Sequence, residues 1–346
     1  MFNRWRKKNG AAAVAEPVAE AKADPAAMLA EVDRLVRENR QTRSVDREIA
    51  IRKLRHEAGI AVLSDASDSP SFAEPSSEVP ARGEQSRLPE INASELTGEV
   101  LRGAILEAGA LLVRGLIDRD RAVGMAEDIE RAVVARQELR DGGTDELGLY
   151  DEIETDAGFP ITVRDWVEEG GGLLAVDSPR LLFDMLESFS EVGMRDVVEG
   201  YLGERAAISA QKCTLRKATP DVGGAWHQDG SFMGDVRSLN VWVSLSRCGD
   251  VAPSMDVVPR RLEEYVPTGG EGTYIENQIS HLTAEKAAGE IGIVRPIFDP
   301  GDALLFDEIF LHQTGSDPEM PNPRYAIESW FFGASAYPKG YAPIAL

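Results

Sequence analysis

The chain has 346 residues, 43% of them hydrophobic and 28% charged, the composition of an ordinary soluble globular protein. Its 37 basic against 59 acidic residues leave a formal net charge of −22, which repels phosphate backbones and anionic lipid and disfavours nucleic-acid binding. No run approaches the ~18 consecutive apolar residues of a membrane span, and two cysteines, Cys213 and Cys248, cannot staple so long a chain as a disulfide scaffold does.

Arg4, Arg6, Lys7 and Lys8 precede a small-residue stretch that Glu16 and Pro17 interrupt, so an export signal lacks its apolar core and residues 1–24 are expected to be a disordered tail on a cytoplasmic protein. Asp24-Pro25 then offers an N-cap with proline at the first helical position. Met28, Leu29, Val32, Leu35 and Val36 predict an amphipathic helix over 25–40, and Ser44 and Asp46 open a second. This helical extension, 25–63, could cover the main body or support self-association into a homo-oligomer; His56 within it is expected to face solvent. Residues 64–88, rich in Ser, Pro, Glu and Asp, read as a linker. The main domain is expected over 89–346.

In that domain the spacing predicts helices over 93–107, 118–136 and 181–201, with a glycine-bounded strand over 109–115; the stretch 141–172 gives no clear signal. After Ala206 the pattern turns to β. Short runs at 208–215, 238–245, 254–258, 291–296, 303–306 and 325–332, separated by Gly, Pro and Asp turns, suggest a sandwich or barrel. Helices first and strands later argue for an α+β arrangement.

Two of the four histidines sit in distinctive surroundings. His227 and Asp229 form a His-x-Asp in Trp226–Gly230, and on an extended segment residues i and i+2 point to one face. His312 ends an apolar segment that reads as core β, 83 residues after Asp229. Two neutral imidazoles and a carboxylate form the facial triad associated with non-haem Fe(II) oxygenases. Arg324 follows twelve residues later; inward on an apolar strand it is costly unless a carboxylate meets it, and its planar fork suits one. Alone, a His-x-Asp can be a turn and Arg324 half of an ion pair with Glu328; their conjunction carries the weight.

The segments WHQDGSF (226–232), LNVWVSL (239–245), PGDALLFDEIFLHQTG (300–315) and PRYAIESWFF (323–332) resemble the phytanoyl-CoA dioxygenase family of Fe(II)- and 2-oxoglutarate-dependent oxygenases over residues ~90–335. The resemblance implies a double-stranded β-helix, a jelly-roll or cupin-like barrel flanked by helices. It makes His227, Asp229 and His312 the catalytic iron ligands, with 2-oxoglutarate and O2 as co-substrates. Arg324 would bind the distal carboxylate of 2-oxoglutarate and Thr314 would donate a hydrogen bond to it. Gln211, sixteen residues before His227, matches a Gln or Lys common in the family, and Asn240 and Trp242 could line the same cavity. Asp229 fills the position that related halogenases leave open for chloride, which favours hydroxylation of a small molecule, or desaturation, over halogenation. Phe232 and Arg237, on the segment edging the pocket, and Trp330, on the face of Arg324, are candidate substrate contacts; Arg216 and Lys217 are further cations nearby. His281 reads as a surface residue, Cys213 and Cys248 as small buried hydrophobes, and 267–272 as a mobile loop near the mouth. The alternative is a non-catalytic jelly-roll binding or interaction module.

Overall fold

The structure, a computed structural model, describes residues 24–66, 69–145, 147–221, 223–274 and 277–346. All but the last residue of the expected tail lies outside the described residues. Helix α1 (Pro25–Gln41) is capped by Asp24, whose carboxylate accepts the Ala26 N–H, and α2 (Val45–Ser64) returns beside it. Val32, Val36 and Ile51 turn inward to pack with Phe183, so the apolar sides of this hairpin lie on the body. Arg55 donates to Ala345 O. His56, against expectation, is buried: its Nδ1 lies 2.9 Å from Pro343 O and its Nε2 accepts the Asp156 N–H at 3.1 Å. Ring nitrogens that bond backbone groups on two segments make a buried histidine possible.

The stretch with linker composition also lies along the body. Ser71 and Ala73 donate backbone N–H groups to Gly203 O and Gly200 O, carbonyls that a helix end leaves unpaired, so hydrogen bonding holds its first part, and Leu88 at its end is fully buried in the core. Strand β1 (Glu90–Asn92) leads to α3 (Gly98–Ala108), β2 (Ala110–Arg114) and α4 (Arg119–Arg140). Helix α3 begins later than its apolar spacing suggests, because Asn92 and Glu95 form a capping box around a 3₁₀ turn and Thr97 then caps the Val100 N–H. The unassigned stretch contains α5 (Arg164–Glu169) and β3 (Gly172–Leu174). The helix expected over 181–201 is two, α6 (Pro179–Glu191) and α7 (Met194–Leu202), divided at Gly193 with φ 66°.

The β-rich half comprises β4 (Ala206–Ala218), a single turn α8 (Gly230–Met233), β5 (Ser238–Ser244), β6 (Ser254–Val257), α9 (His281–Ala288), β7 (Ala303–Phe306), β8 (His312–Gly315), β9 (Arg324–Gly333) and β10 (Pro343–Ala345). Eight strands form one sheet in the order β1-β2-β7-β5-β9-β4-β10, with β3 also on β4; only β1–β2 is parallel. Strands β6 and β8 form a second, antiparallel sheet. The expected strand at 291–296 is reduced to a single bridge from Val294 to Val257. Gly292 at φ 71° and Pro296, which has no N–H, deny it a ladder.

Period-2 alternation sorts the large sheet into two faces. Leu111, Val113, Leu239, Val241, Leu305, Ile327 and Phe331 pack against the helices. Leu112, Trp242, Leu304, Phe306, Trp330 and Phe332 face the other way, in one cluster with Met255 and Val257 of the small sheet. The architecture is α+β, with the long helices on one side of a mostly antiparallel sheet and the candidate site, with the short α8 and α9, on the other.

Gly59 shows how closely α2 approaches the body: a Cβ there would lie 2.8 Å from Pro343 O, whereas one at Gly124 in α4 would meet nothing within 4 Å. Gly124→Ala should stabilise the protein by up to ~1 kcal/mol, the usual gain for a helix-interior glycine. Gly59→Ala should instead destabilise it by about 1–3 kcal/mol, because helix and strand must move apart. Urea unfolding of both variants checks the opposite signs.

Candidate metal centre

Two distant segments meet through one antiparallel bridge. The His227 N–H donates to His312 O at 3.0 Å and the His312 N–H to His227 O at 3.2 Å, which sets the imidazole centroids 4.4 Å apart. Just before it, Gly224 N–H donates to Thr314 O, and a Cβ on Gly224 would fall 2.4 Å from Thr314 N; only glycine lets the two backbones run this close. Asp229 then leaves the extended conformation, with φ −59° and ψ −35°, and starts α8. The expected i, i+2 alternation is therefore not what aligns it with His227; the turn is. Its Oδ2 lies 3.7 Å from His227 Nε2 and 3.6 Å from His312 Nε2. One ligand atom from each of the three residues lies within 4.8 Å of the others.

Both histidines are oriented alike. The Nδ1 of His227 lies 2.7 Å from Ala225 O, and that of His312 3.0 Å from Phe310 O, in each case the carbonyl two residues earlier. Donation through Nδ1–H leaves both Nε2 lone pairs free, the usual outer-sphere arrangement of metal-binding histidines. Burial, then the neighbouring His227, push the His312 pKa down to about 4, so its ring is neutral at pH 7. His312 does not end the apolar strand, as the sequence suggested. Strand β7 stops at Phe306, the chain turns at Asp307, whose carboxylate accepts the Ile309 N–H, and His312 opens β8 in the other sheet.

Arg324 is 4% exposed and on the same strand face as Trp330. Its Nη1 reaches Ser254 O at 3.5 Å, its Cζ stands 5.4 Å from the Trp242 ring centroid, and its Nε has no partner. Burial holds its pKa below the usual arginine value. Among the described residues it pairs with no carboxylate. Glu328 is engaged elsewhere: it accepts from Arg216 Nε at 3.1 Å, Thr214 Oγ1 at 3.2 Å and Trp330 Nε1 at 3.2 Å. Burial alone would raise its pKa, but Arg216 and Lys212 outweigh that and hold the carboxyl down at about 2.

Asn240 is buried on the same face, cross-strand from Trp330 and Phe306, with Oδ1 unpartnered. Thr314 lies two residues along β8 from His312, half-buried opposite Met255. Gln211, expected in the site, is not. Its Nε2 donates to Pro160 O and Gly340 O, and its Oε1 accepts the Ala342 N–H at 2.8 Å. A bulge in β4 between Ile208 and Cys213 changes the parity of the strand, so both of these face the helices although they are five positions apart. Lys212 takes the site face instead, with Nζ 3.8 Å from Asp229 Oδ1 and 4.5 Å from the Phe232 ring centroid. Phe232 is 43% exposed and 6.3 Å from the His227 ring. Arg237 is held by the Glu204 carboxylate, Leu202 O and Ser335 Oγ, so its charge is already matched and it is not free for substrate. Trp330 is fully buried, edge-on to Phe306, and builds the wall rather than an exposed contact. His281 is exposed, as read, yet its Nδ1 accepts the indole N–H of Trp226 at 3.2 Å. Gly269, in the 267–272 stretch, bridges to Ile279, which in turn bridges to Trp226 beside the motif. Both cysteines are buried thiols.

Gln228, which sequence reasoning passed over, is fully buried between two of the candidate ligands. Its amide donates to Ile309 O at 2.6 Å and Glu264 O at 3.3 Å and accepts the Val266 N–H at 2.8 Å, tying the His-x-Asp turn to the segment that delivers His312.

The donor set fits Fe(II): two imidazole nitrogens and one carboxylate oxygen on one side of an ion, with a buried guanidinium that meets no carboxylate among the described residues and a buried, unpartnered amide oxygen on the same sheet face. No family model and no curated protein sequence matches the chain. Among solved structures it is similar to EctD from S. alaskensis with 2-oxoglutarate and 5-hydroxyectoine, at 18% identity and TM-score 0.46 over 78% of this chain and 86% of that one. It is also similar to AviO1 from Streptomyces viridochromogenes Tue57 (15% identity, TM-score 0.41, 70% of this chain and 98% of that one). A third is the non-heme alpha ketoglutarate dependent epimerase SnoN from nogalamycin biosynthesis (16%, 0.41, 68% and 82%). No helix among the described residues is long and apolar enough to cross a membrane.

Removing the amide of Gln228 while keeping its bulk, as in Gln228→Met, should weaken Co(II) binding about 10- to 100-fold, the usual cost of losing an outer-sphere support. Absorbance titration of wild type and variant checks this.

Proposed function

We propose that the protein is an Fe(II)- and 2-oxoglutarate-dependent dioxygenase of the phytanoyl-CoA dioxygenase family, cytoplasmic, with a jelly-roll (double-stranded β-helix) core, that hydroxylates a small molecule. His227, Asp229 and His312 would hold the iron; Arg324 would hold the distal carboxylate of 2-oxoglutarate. Bound there, iron with 2-oxoglutarate and O2 supplies the oxidising power to convert a C–H to a C–OH bond, the keto acid leaving as succinate and CO2.

The observation that carries the reading is Arg324. A guanidinium buried to 4% exposure with no carboxylate partner among the described residues is expensive, and breaking such a pair by removing one member costs about 3–5 kcal/mol. An anionic co-substrate relieves that cost on binding, and a planar fork meets its carboxylate through two parallel hydrogen bonds. Trp242 under the guanidinium fixes its plane, Thr314 on the small sheet could add a donor, and the unpartnered Asn240 Oδ1 marks the same side as polar. With Gln211 turned to the other face, Lys212 would supply a donor near the co-substrate, its ammonium 3.8 Å from Asp229 Oδ1. His312, neutral at pH 7, then ligates without first losing a proton, and the cluster around Phe306 and Trp330 keeps bulk water from one side of the centre.

Anaerobic Fe(II) with 2-oxoglutarate should give a weak visible charge-transfer band in the wild type. His227→Ala should abolish it. Arg324→Gln should keep metal binding while raising the 2-oxoglutarate concentration needed by at least ~10-fold, the value of one or two charge-assisted hydrogen bonds. A band of full strength in both variants would contradict these assignments. No bound iron and no succinate across a broad substrate panel would favour the non-catalytic module.

A further inference from the structure

The face of β4 that meets the metal centre continues beyond it. Lys212, Thr214 and Arg216 project from the same face, and the end residues are four positions apart, ~13 Å of extended strand. At the near end, Lys212 Nζ lies beside Asp229 and over the half-exposed ring of Phe232. At the far end, Arg216 uses only Nε on Glu328 and Thr214. Its two Nη groups make no hydrogen bond among the described residues, and its Cζ stands 5.8 Å from the ring centroid of Trp166. Trp166, on α5, is 64% exposed, an unusual position for an indole with no apolar partner to cover it.

The charges on this face do not cancel. Lys212, Arg216 and Arg324 are cations; Asp229 and Glu328 are carboxylates. On the reading above, a divalent metal and a dianionic keto acid balance each other, and one positive charge remains. Among the described residues both Nη groups of Arg216 are free donors at the far end of this face, and Lys212 Nζ, 3.8 Å from Asp229 Oδ1, makes no hydrogen bond at the near end.

We infer that the substrate is an elongated organic anion with a single negative charge and a flat apolar body. Its acidic group binds the Nη fork of Arg216 with the body against Trp166, and the carbon to be oxidised lies ~13 Å along β4, beside Lys212 and Phe232. Glu328 is a positioning residue here: it holds Arg216 by Nε and leaves the fork presented outward. The assignment rests on the dioxygenase reading for the location of the reacting end, but the anion site itself belongs to this chain's own residues.

The test uses the full-length protein without metal and 4-phenylbutanoate as probe, against its uncharged amide, by calorimetry and tryptophan fluorescence at fixed ionic strength. The acid should bind at least tenfold more tightly than the amide. Arg216→Gln should lose at least tenfold in acid affinity with little change for the amide. Since that change strips half-buried Glu328 of its cationic partner and can harm folding, Trp166→Ala serves beside it; it removes an exposed side chain, and should weaken the acid and the amide alike by several-fold. Equal affinity for acid and amide, no detectable binding of the acid, or wild-type acid binding in Trp166→Ala each overturns the inference. Co(II) titration of the same samples separates the two ideas. If Co(II) binds as expected and the acid fails, only the substrate assignment falls; if Co(II) does not bind the wild type, the dioxygenase reading falls.

Discussion

The pair of backbone hydrogen bonds between His227 and His312 is the constraint on which the site depends. Each histidine alone is a residue on a short extended segment. Joined by one antiparallel bridge, with both Nδ1 atoms turned to carbonyls two residues earlier, they present two nitrogens to the same point, and the turn at Asp229 adds an oxygen. Glycine at 224 admits the close approach, Gln228 ties the turn to the neighbouring loops, and the Asp307 turn carries the chain from the large sheet to the small one.

The second governing feature is electrostatic. The protein carries a net charge of −22, yet the sheet face at the candidate metal centre carries Lys212, Arg216 and Arg324 beside Asp229 and Glu328. Acidic surface repels anions at long range, whereas a buried cation such as Arg324 and half-buried ones such as Lys212 and Arg216 are less screened and attract them at contact. Arg237 shows the contrast: equally cationic and close in sequence to the metal motif, it is matched by Glu204 and carries no such pull.

The N-terminal helices belong to the same body. Arg55 and His56 bond the carbonyls of β10, and Gly59 lets α2 lie against Pro343. Strand β10 pairs with β4, the strand that carries Lys212 and Arg216. The hairpin thus braces the outer edge of the sheet on which the proposed substrate face is built.

How much of this was legible in the chain follows from the range over which each feature is set. Composition and periodicity fixed the α+β class, the long helices and strands such as 303–306. The types and spacing of His227, Asp229, His312 and Arg324 pointed to one chemistry, because ligand chemistry resides in the side chains themselves. Orientation was decided only by tertiary structure. A bulge in β4 exchanges Gln211 for Lys212 at the site, and period-2 reasoning cannot see a bulge because it depends on the partner strand. Partner strands and helices likewise decided that Glu328 binds Arg216 and leaves Arg324 unmatched, that His312 opens a strand in the smaller sheet, and that His56 is buried. Each of these turns on which distant backbone or charge arrives alongside, a fact about neighbours in space that no local pattern encodes.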